Sequence, residues 1–139
     1  MDPNTKLLES IYESTVMGKT ALGQLIKHCE DANLRQSMAD MFAEYHEIQD
    51  EAEKLLKAAN LAPSTPPRSP LKAHISLNLH IDKTSTHMAE MLMHGSLLGI
   101  IDLARDIREC EGANQETTAL ANKLLASEEN NLNRLQKFL

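Results

Sequence analysis

The sequence predicts an all-α fold, a single bundle of four long antiparallel helices, and three features support this prediction. Leu, Ala, Met, Glu and Lys, which favour helix, are abundant, whereas aromatic side chains make up only 3% of the chain. Apolar residues recur at helical spacing along four separate stretches. A chain of 139 residues buries one continuous core, so residues 1–139 are predicted to form one domain.

The first predicted helix begins with Asp2 or Asn4 as its N-cap. Pro3 suits its first turn, where a missing backbone N–H costs no hydrogen bond. The apolar periodicity extends this helix to about Cys29. The residues on its inward face are Leu8, Ile11, Thr15, Gly18, Leu22, Leu25, Ile26 and Cys29.

The second predicted helix covers about residues 34–61, with charged side chains opposite its apolar face. Its inward residues are Leu34, Met38, Met41, Phe42, Tyr45, Ile48, Ala52, Leu55, Leu56 and Ala59. Four prolines in residues 62–70 end this pattern, because proline cannot continue a helix. The first hairpin is therefore predicted over residues 2–61, followed by a long connection over residues 62–84.

Residues 71–82 of the connection have an ambiguous pattern. Their apolar side chains alternate as in a strand, yet Leu71, Ile75 and Leu79 also suit a helix. Because a lone strand would have no partner, we predict a short extra helix here.

The second hairpin is predicted over residues 85–139. A hydroxyl side chain within residues 84–86 caps the third helix, which Gly112 ends. The inward residues of the third helix are Ala89, Leu92, Met93, Ser96, Ile100, Leu103, Ala104 and Ile107. The fourth helix covers about residues 114–138, and its inward apolar residues are Leu120, Ala121, Leu124, Leu125, Leu132, Leu135 and Phe138.

An internal repeat relates the two hairpins at an offset of 81 residues. Residues 28–33, HCEDAN, match residues 109–114, ECEGAN. The same offset pairs Thr15 with Ser96, Gly18 with Gly99, Leu22 with Leu103 and Ile26 with Ile107. A duplicated helical hairpin explains these matches. The connection is much longer than the roughly 2 to 8 residues that join adjacent antiparallel helices, so it can cross the whole bundle.

Residues 11–18, 87–95 and 127–131 carry a likeness to a known family. Together with the two hairpins and their long connection, they resemble the ferritin-like superfamily, in particular its small uncharacterised bacterial members. The resemblance implies a ferritin-like four-helix bundle in which a long crossover, with its short extra helix, joins the hairpins. Metal-binding members place an inward Glu on the first and third helices and Glu-x-x-His on the second and fourth.

The chain keeps little of that metal-binding pattern. Thr15 and Ser96 occupy the inward positions of the first and third helices, and Tyr45 is inward on the second. Only the fourth helix keeps an inward acid, in the sequence Glu128-x-x-Asn131. One carboxylate is too few for two metals, so we predict that these five residues form a buried polar layer that fixes helix register. The alternative is a weak single-metal or small-molecule site at this layer.

A second cluster lies along one side of the third helix, where His87, Glu90 and His94 fall within about 60° of one another. Two His and a carboxylate are a candidate site for zinc or iron. The apolar residues on the same side are Met91, Leu98 and Ile101. The competing interpretation is therefore a surface covered by residues 71–82 or by another subunit.

Composition limits the function of this chain. Its net charge of −6 and scattered basic residues argue against nucleic acid as a partner. The sequence has no export signal and no run of about 18 apolar residues, so we expect a cytoplasmic protein without a membrane span and with Cys29 and Cys110 as free thiols. No catalytic motif is recognised, and neither an enzymatic activity nor a cofactor is predicted.

The function that these features favour is a structural or interaction role for a ferritin-like bundle with a degenerate metal site, acting as a homo-oligomer. Self-association would use the side of the third helix that carries His87 and His94. The alternative is a metal-binding or redox protein that holds iron, manganese or zinc through Glu128 or through the His87, Glu90 and His94 cluster. The identity of any protein client stays open.

Overall fold

The computed structural model describes residues 2–63, 82 and 84–139, and the described part of the chain contains helices but no strand. The four long helices are α1 (Pro3–Leu25), α2 (Ala32–Ala58), α3 (Ser85–Glu109) and α4 (Gln115–Leu135). Short 3₁₀ turns over Ile26–His28 and Gln136–Phe138 extend α1 and α4. The prediction of an all-helical fold with four long helices is confirmed.

Each long helix begins with a side chain that satisfies the backbone of its first turn. Asp2, Asp31, Thr84 and Asn114 each accept at least one hydrogen bond from a backbone N–H there. Pro3 occupies the first position of α1, as predicted. The polar residues before each apolar run therefore fix where the helices start.

The ends of the helices differ from the predicted ends by a few residues. The α-helical part of α1 stops at Leu25, and the chain continues to Cys29 through the 3₁₀ turn. Helix α2 stops at Ala58, and Asn60 then adopts a φ of 62°, the left-handed conformation that commonly follows a helix. The short helix predicted within residues 71–82 lies outside the described residues, apart from the last position.

The contacts between helices define their directions. Each of the pairs α1–α2 and α3–α4 packs along an extensive shared surface. Near the start of α1, Lys6 Nζ lies 3.5 Å from Glu109 Oε2, and Ser10 Oγ donates to Asp106 Oδ2 at 2.5 Å. Both acids belong to the last turns of α3, so α1 and α3 run antiparallel. The equivalent contacts between α2 and α4 are Glu44 with Arg134 and Glu51 with Lys123.

Most residues predicted to face inward are buried, nine are half-buried, and three are exposed. Phe42 is 39% exposed, and Ala59 and Ala104 are also exposed. The ring of Phe42 lies at the bundle surface, where Lys19 Nζ is 5.1 Å from its centroid. The core also contains large apolar side chains that the periodicity missed, and these are Leu7 and Met88.

The buried positions of the two hairpins match each other, but at two different offsets. At 81 residues, α1 and α3 match in the pairs Leu7/Met88, Leu8/Ala89, Ile11/Leu92, Thr15/Ser96 and Leu22/Leu103. At 83 residues, α2 and α4 match in the pairs Leu34/Thr117, Ser37/Leu120, Met38/Ala121, Met41/Leu124, Tyr45/Glu128, Ile48/Asn131 and Ala52/Leu135.

The change of offset arises in the turns. Cys29 precedes the N-cap Asp31 by two residues, whereas Cys110 precedes the N-cap Asn114 by four. In the structure the counterpart of Asn114 is therefore Asp31 and not Asn33, which the single sequence offset of 81 had paired with it. Two extra residues in the second turn shift all the positions that follow.

Helices α1 and α2 approach closely at Gly18, and this contact predicts the effect of a small substitution. A Cβ atom at Gly18 would lie 2.7 Å from Cε2 of the Tyr45 ring, whereas one at Gly23 meets no described atom within 4 Å. We expect Gly18→Ala to lower the free energy of unfolding by about 1 to 3 kcal/mol through overpacking. Gly23→Ala should raise it by up to about 1 kcal/mol through helix propensity. Chemical denaturation measures both, and equal effects of the two variants would contradict the close approach.

Candidate functional site

A buried polar cluster joins the facing sides of α2, α3 and α4. Tyr45 Oη donates a short hydrogen bond to Oε1 of Glu128. The same carboxylate oxygen accepts from Asn131 Nδ2 at 3.3 Å and from Ser96 Oγ at 3.5 Å. All four side chains are buried, with Glu128 only 6% exposed. Three donors from three helices therefore converge on one oxygen atom of a buried acid.

Burial dominates the electrostatics of this cluster. Desolvation raises the pKa of Glu128 from 4.5 to about 7, although its hydrogen bonds from Tyr45, Asn131 and Ser96 each act to lower the pKa. Burial and the nearby Glu128 charge also raise the pKa of Tyr45 above its ordinary range. The phenol consequently keeps its proton and acts as the donor in this pair.

An outer layer of polar contacts surrounds the cluster and was not predicted from the sequence. Arg134 Nη1 donates to Glu44 Oε2 at 2.8 Å and to Asn131 Oδ1 at 3.4 Å. Ser127 Oγ donates to Glu44 Oε1 at 3.0 Å. Arg134 therefore holds the amide of Asn131 and does not contact Glu128 directly. Because Glu44 and Arg134 lie beside the apolar faces of their helices, the helical periodicity gave no signal for this layer.

The five residues predicted as a polar layer do not all join the cluster. Tyr45, Ser96, Glu128 and Asn131 are connected by hydrogen bonds. Thr15 is fully buried, but its hydroxyl donates to the backbone carbonyl of Tyr12 at 2.7 Å. The hydroxyl of Thr15 therefore has its hydrogen-bond partner within α1. Thr15 lies in the interior but is not hydrogen-bonded to Glu128.

Two glycines make room for the two largest members of the cluster. A Cβ atom at Gly99 would lie 2.6 Å from Oε2 of Glu128, just as one at Gly18 would meet the ring of Tyr45. Gly18 and Gly99 are matched positions of the two hairpins, at the offset of 81. The sequence repeat identified this pair, but only the packing shows that each glycine faces one partner of the Tyr45–Glu128 hydrogen bond.

His87, Glu90 and His94 are not grouped as a metal site in the structure. His87 Nδ1 is 4.0 Å from Glu90 Oε2, whereas His94 is exposed and seven residues from His87, about 10.5 Å along the helix axis. This separation is too large for one ion with bonds of about 2.1 Å. Among residues 2–63, 82 and 84–139, no group of three or more His, Cys, Asp or Glu side chains is placed to hold a metal.

The side of α3 that points away from the core carries three large apolar side chains that are exposed. Leu97, Leu98 and Ile101 are 48%, 62% and 52% exposed, and His94 is exposed beside them. We refer to these four residues as the α3 outer surface. Met91, which the sequence placed on the same side, is half-buried and packs against the core. Several large apolar side chains next to each other on one helix face are typical of a contact surface.

Comparisons with known proteins give no family for this chain, because no family model, curated protein or solved structure matches it. In the part of the chain that the structure describes, none of the helices has the length and apolar character needed to cross a membrane.

The raised pKa of Glu128 predicts how stability changes with pH. Between about pH 4.5 and 7 the folded protein holds a proton on Glu128 that the unfolded chain has released, so stability falls as the pH rises through this range. We expect a loss of about 3 kcal/mol in the free energy of unfolding. Glu128→Gln should abolish this component, as measured by urea denaturation from pH 4 to 8.

The exposed neighbour Glu129 supplies the control. Glu129→Gln removes the same charge and should leave the pH dependence of the native protein unchanged. If both variants showed the same pH dependence as the native protein, Glu128 would not be a buried titrating group.

Proposed function

We propose that this chain is a ferritin-like bundle with one crossover, in which a structural polar layer has replaced the two-metal centre. Support comes from the antiparallel α1 and α3 and from the matched interior positions of the two hairpins. Metal-binding members of that superfamily have an inward Glu on the first and third helices and an inward Glu-x-x-His motif on the second and fourth. The matched positions here are Thr15 with Ser96, Tyr45 with Glu128, and Ile48 with Asn131. Only Glu128 among them is an acid.

The proposed role of the polar layer is to hold the bundle in one register. A buried carboxyl group is costly unless its hydrogen bonds are satisfied. Sliding α2 or α3 past α4 would break the bonds from Tyr45 and Ser96 and leave Glu128 unpaired. Alternative packings of similar apolar side chains are therefore disfavoured.

Measuring the metal content tests the proposal that a polar layer has replaced the two-metal centre. The interior offers one carboxylate where a two-metal site needs several, so we expect the purified native protein to contain less than about 0.1 equivalent of iron, manganese or zinc per chain. Inductively coupled plasma mass spectrometry measures this content. Stoichiometric metal that is lost in Glu128→Gln would overturn the proposal, because it would make the polar layer a metal site.

The function that the geometry supports best is assembly, in which the bundle binds a second copy through the α3 outer surface. The observation that carries this proposal is the exposure of Leu97, Leu98 and Ile101 on the side of α3 opposite the core. Burying these side chains removes apolar area from water and favours association by roughly 25 cal/mol per Å². In this role the interior supplies rigidity and the outer surface supplies binding.

Replacing the most exposed of these side chains tests the assembly function. Leu98→Glu places a charge at the centre of the surface, and we expect it to abolish concentration-dependent association in analytical ultracentrifugation. Leu139 at the chain end has a similar exposure, 59% against 62%, so Leu139→Glu is the matched control and should associate as the native protein does. A native protein that remains monomeric at all accessible concentrations, or an unaffected Leu98→Glu, would refute this function.

A further inference from the structure

We propose that two copies of this chain pair through α3 in antiparallel orientation, about a two-fold axis that passes between Leu97 and Leu98. The inference rests on the proposed assembly function and specifies its partner and geometry. A two-fold axis is the commonest symmetry of protein dimers and requires a surface that complements itself. The α3 outer surface meets this requirement in the register about this axis.

The apolar centre of the surface complements itself about this axis. Leu97 of one copy faces Leu98 of the other, and His94 faces Ile101. Each of these contacts occurs twice, because the two-fold axis repeats it. The four residues that are exposed in the single chain therefore cover one another in the pair.

The charges that flank this centre also complement each other. Glu90 and Arg105 lie on the same side of α3 as Leu98, one toward each end, with side chains 53% and 56% exposed. In the proposed register Glu90 of each copy faces Arg105 of the other. Two ion pairs then bracket the apolar contact. The hydrogen bond from Arg105 Nη2 to Asp102 Oδ1, at 2.6 Å, holds the guanidinium beside its own helix near this side.

Neighbouring registers of the same helix pair bring like charges together. An axis one step toward the start of α3, between His94 and Leu98, places Glu90 opposite Asp102 of the second copy. An axis one step toward its end, between Leu98 and Ile101, places Glu90 opposite Glu109. Acids directly opposed across an interface repel, and the net charge of −6 already disfavours association. The charge pattern therefore favours the axis between Leu97 and Leu98 over these two neighbouring axes.

The expected affinity follows from the size of the contact. Glu90 and Arg105 are separated by 15 residues, so the paired region is about 22 Å long. A single pair of helices buries less than the roughly 800 Å² per partner that is typical of stable complexes. We therefore expect a dimer with a micromolar dissociation constant, which sedimentation over a concentration series can measure.

Charge reversal on α3 tests the register. Glu90→Arg places two arginines opposite each other at both ends of the contact, and Arg105→Glu does the same with two acids. Each single variant should weaken dimerisation by about tenfold, and the double variant, with both ion pairs restored in reverse, should return to within about threefold of the native dissociation constant. Circular dichroism confirms that each variant is folded.

Asp50 and Lys54 on α2 provide the matched controls, since their side chains are 54% and 76% exposed and lie one turn apart. Asp50→Arg and Lys54→Glu change the net charge as the two test variants do, and they should change the dissociation constant by less than about threefold. Equal effects at the control and test positions would mean that net charge alone acts, and the register would be rejected.

The outcomes separate this inference from the assembly function. If Leu98→Glu prevents association but the double variant binds no better than the single ones, the surface is used and the proposed axis is wrong. If Leu98→Glu has no effect, the assembly function fails and the register fails with it. Rescue by the double variant supports both.

Discussion

The buried acid Glu128 is the constraint on which the rest of the interior depends. Transferring a carboxyl group into an apolar core is costly, and the cost falls when the group keeps its proton or when donors are already in place. Tyr45, Asn131 and Ser96 supply these donors from α2, α4 and α3. Helix α1 takes part by leaving space at Gly18 for the Tyr45 ring. A single acid therefore relates all four helices at one level of the bundle.

The two hairpins contribute complementary side chains at their matched positions. At the matched positions of α2 and α4, one half contributes a phenol and the other a carboxyl group, so the donor and the acceptor meet in the interior. Two acids at the same places would repel in the absence of a cation between them. The matched glycines of α1 and α3 show the same division, because Gly18 accommodates the phenol and Gly99 the carboxyl group. Two similar backbones thus form one asymmetric interior, in which the donor and the acceptor of the central hydrogen bond come from different hairpins.

Apolar spacing was sufficient to predict the helices and most of their inward faces, because each buried stripe repeats strictly along its own helix. Apolar spacing failed where the burial of a side chain depends on a neighbouring helix. Phe42, for example, lies at the edge of the inward face of α2 and is exposed. The offset of 83 cannot be read from the sequence, because the buried residues that it pairs, such as Tyr45 and Glu128, differ in type. The contact of Arg134 with Glu44 depends on how α2 and α4 are aligned, which no single helix encodes. The angular grouping of His87 with His94 neglected the rise along the helix.

The two cysteines give this bundle a pair of internal reporters. Cys29 follows α1 and Cys110 follows α3, so the antiparallel packing places them at opposite ends, both as buried free thiols. Burial raises the pKa of each thiol, which makes both slow to react with alkylating agents in the folded state. The rate at which each one is labelled therefore measures how often its own end of the bundle opens. Fraying at the two ends is thus distinguishable within a single native chain, without added probes.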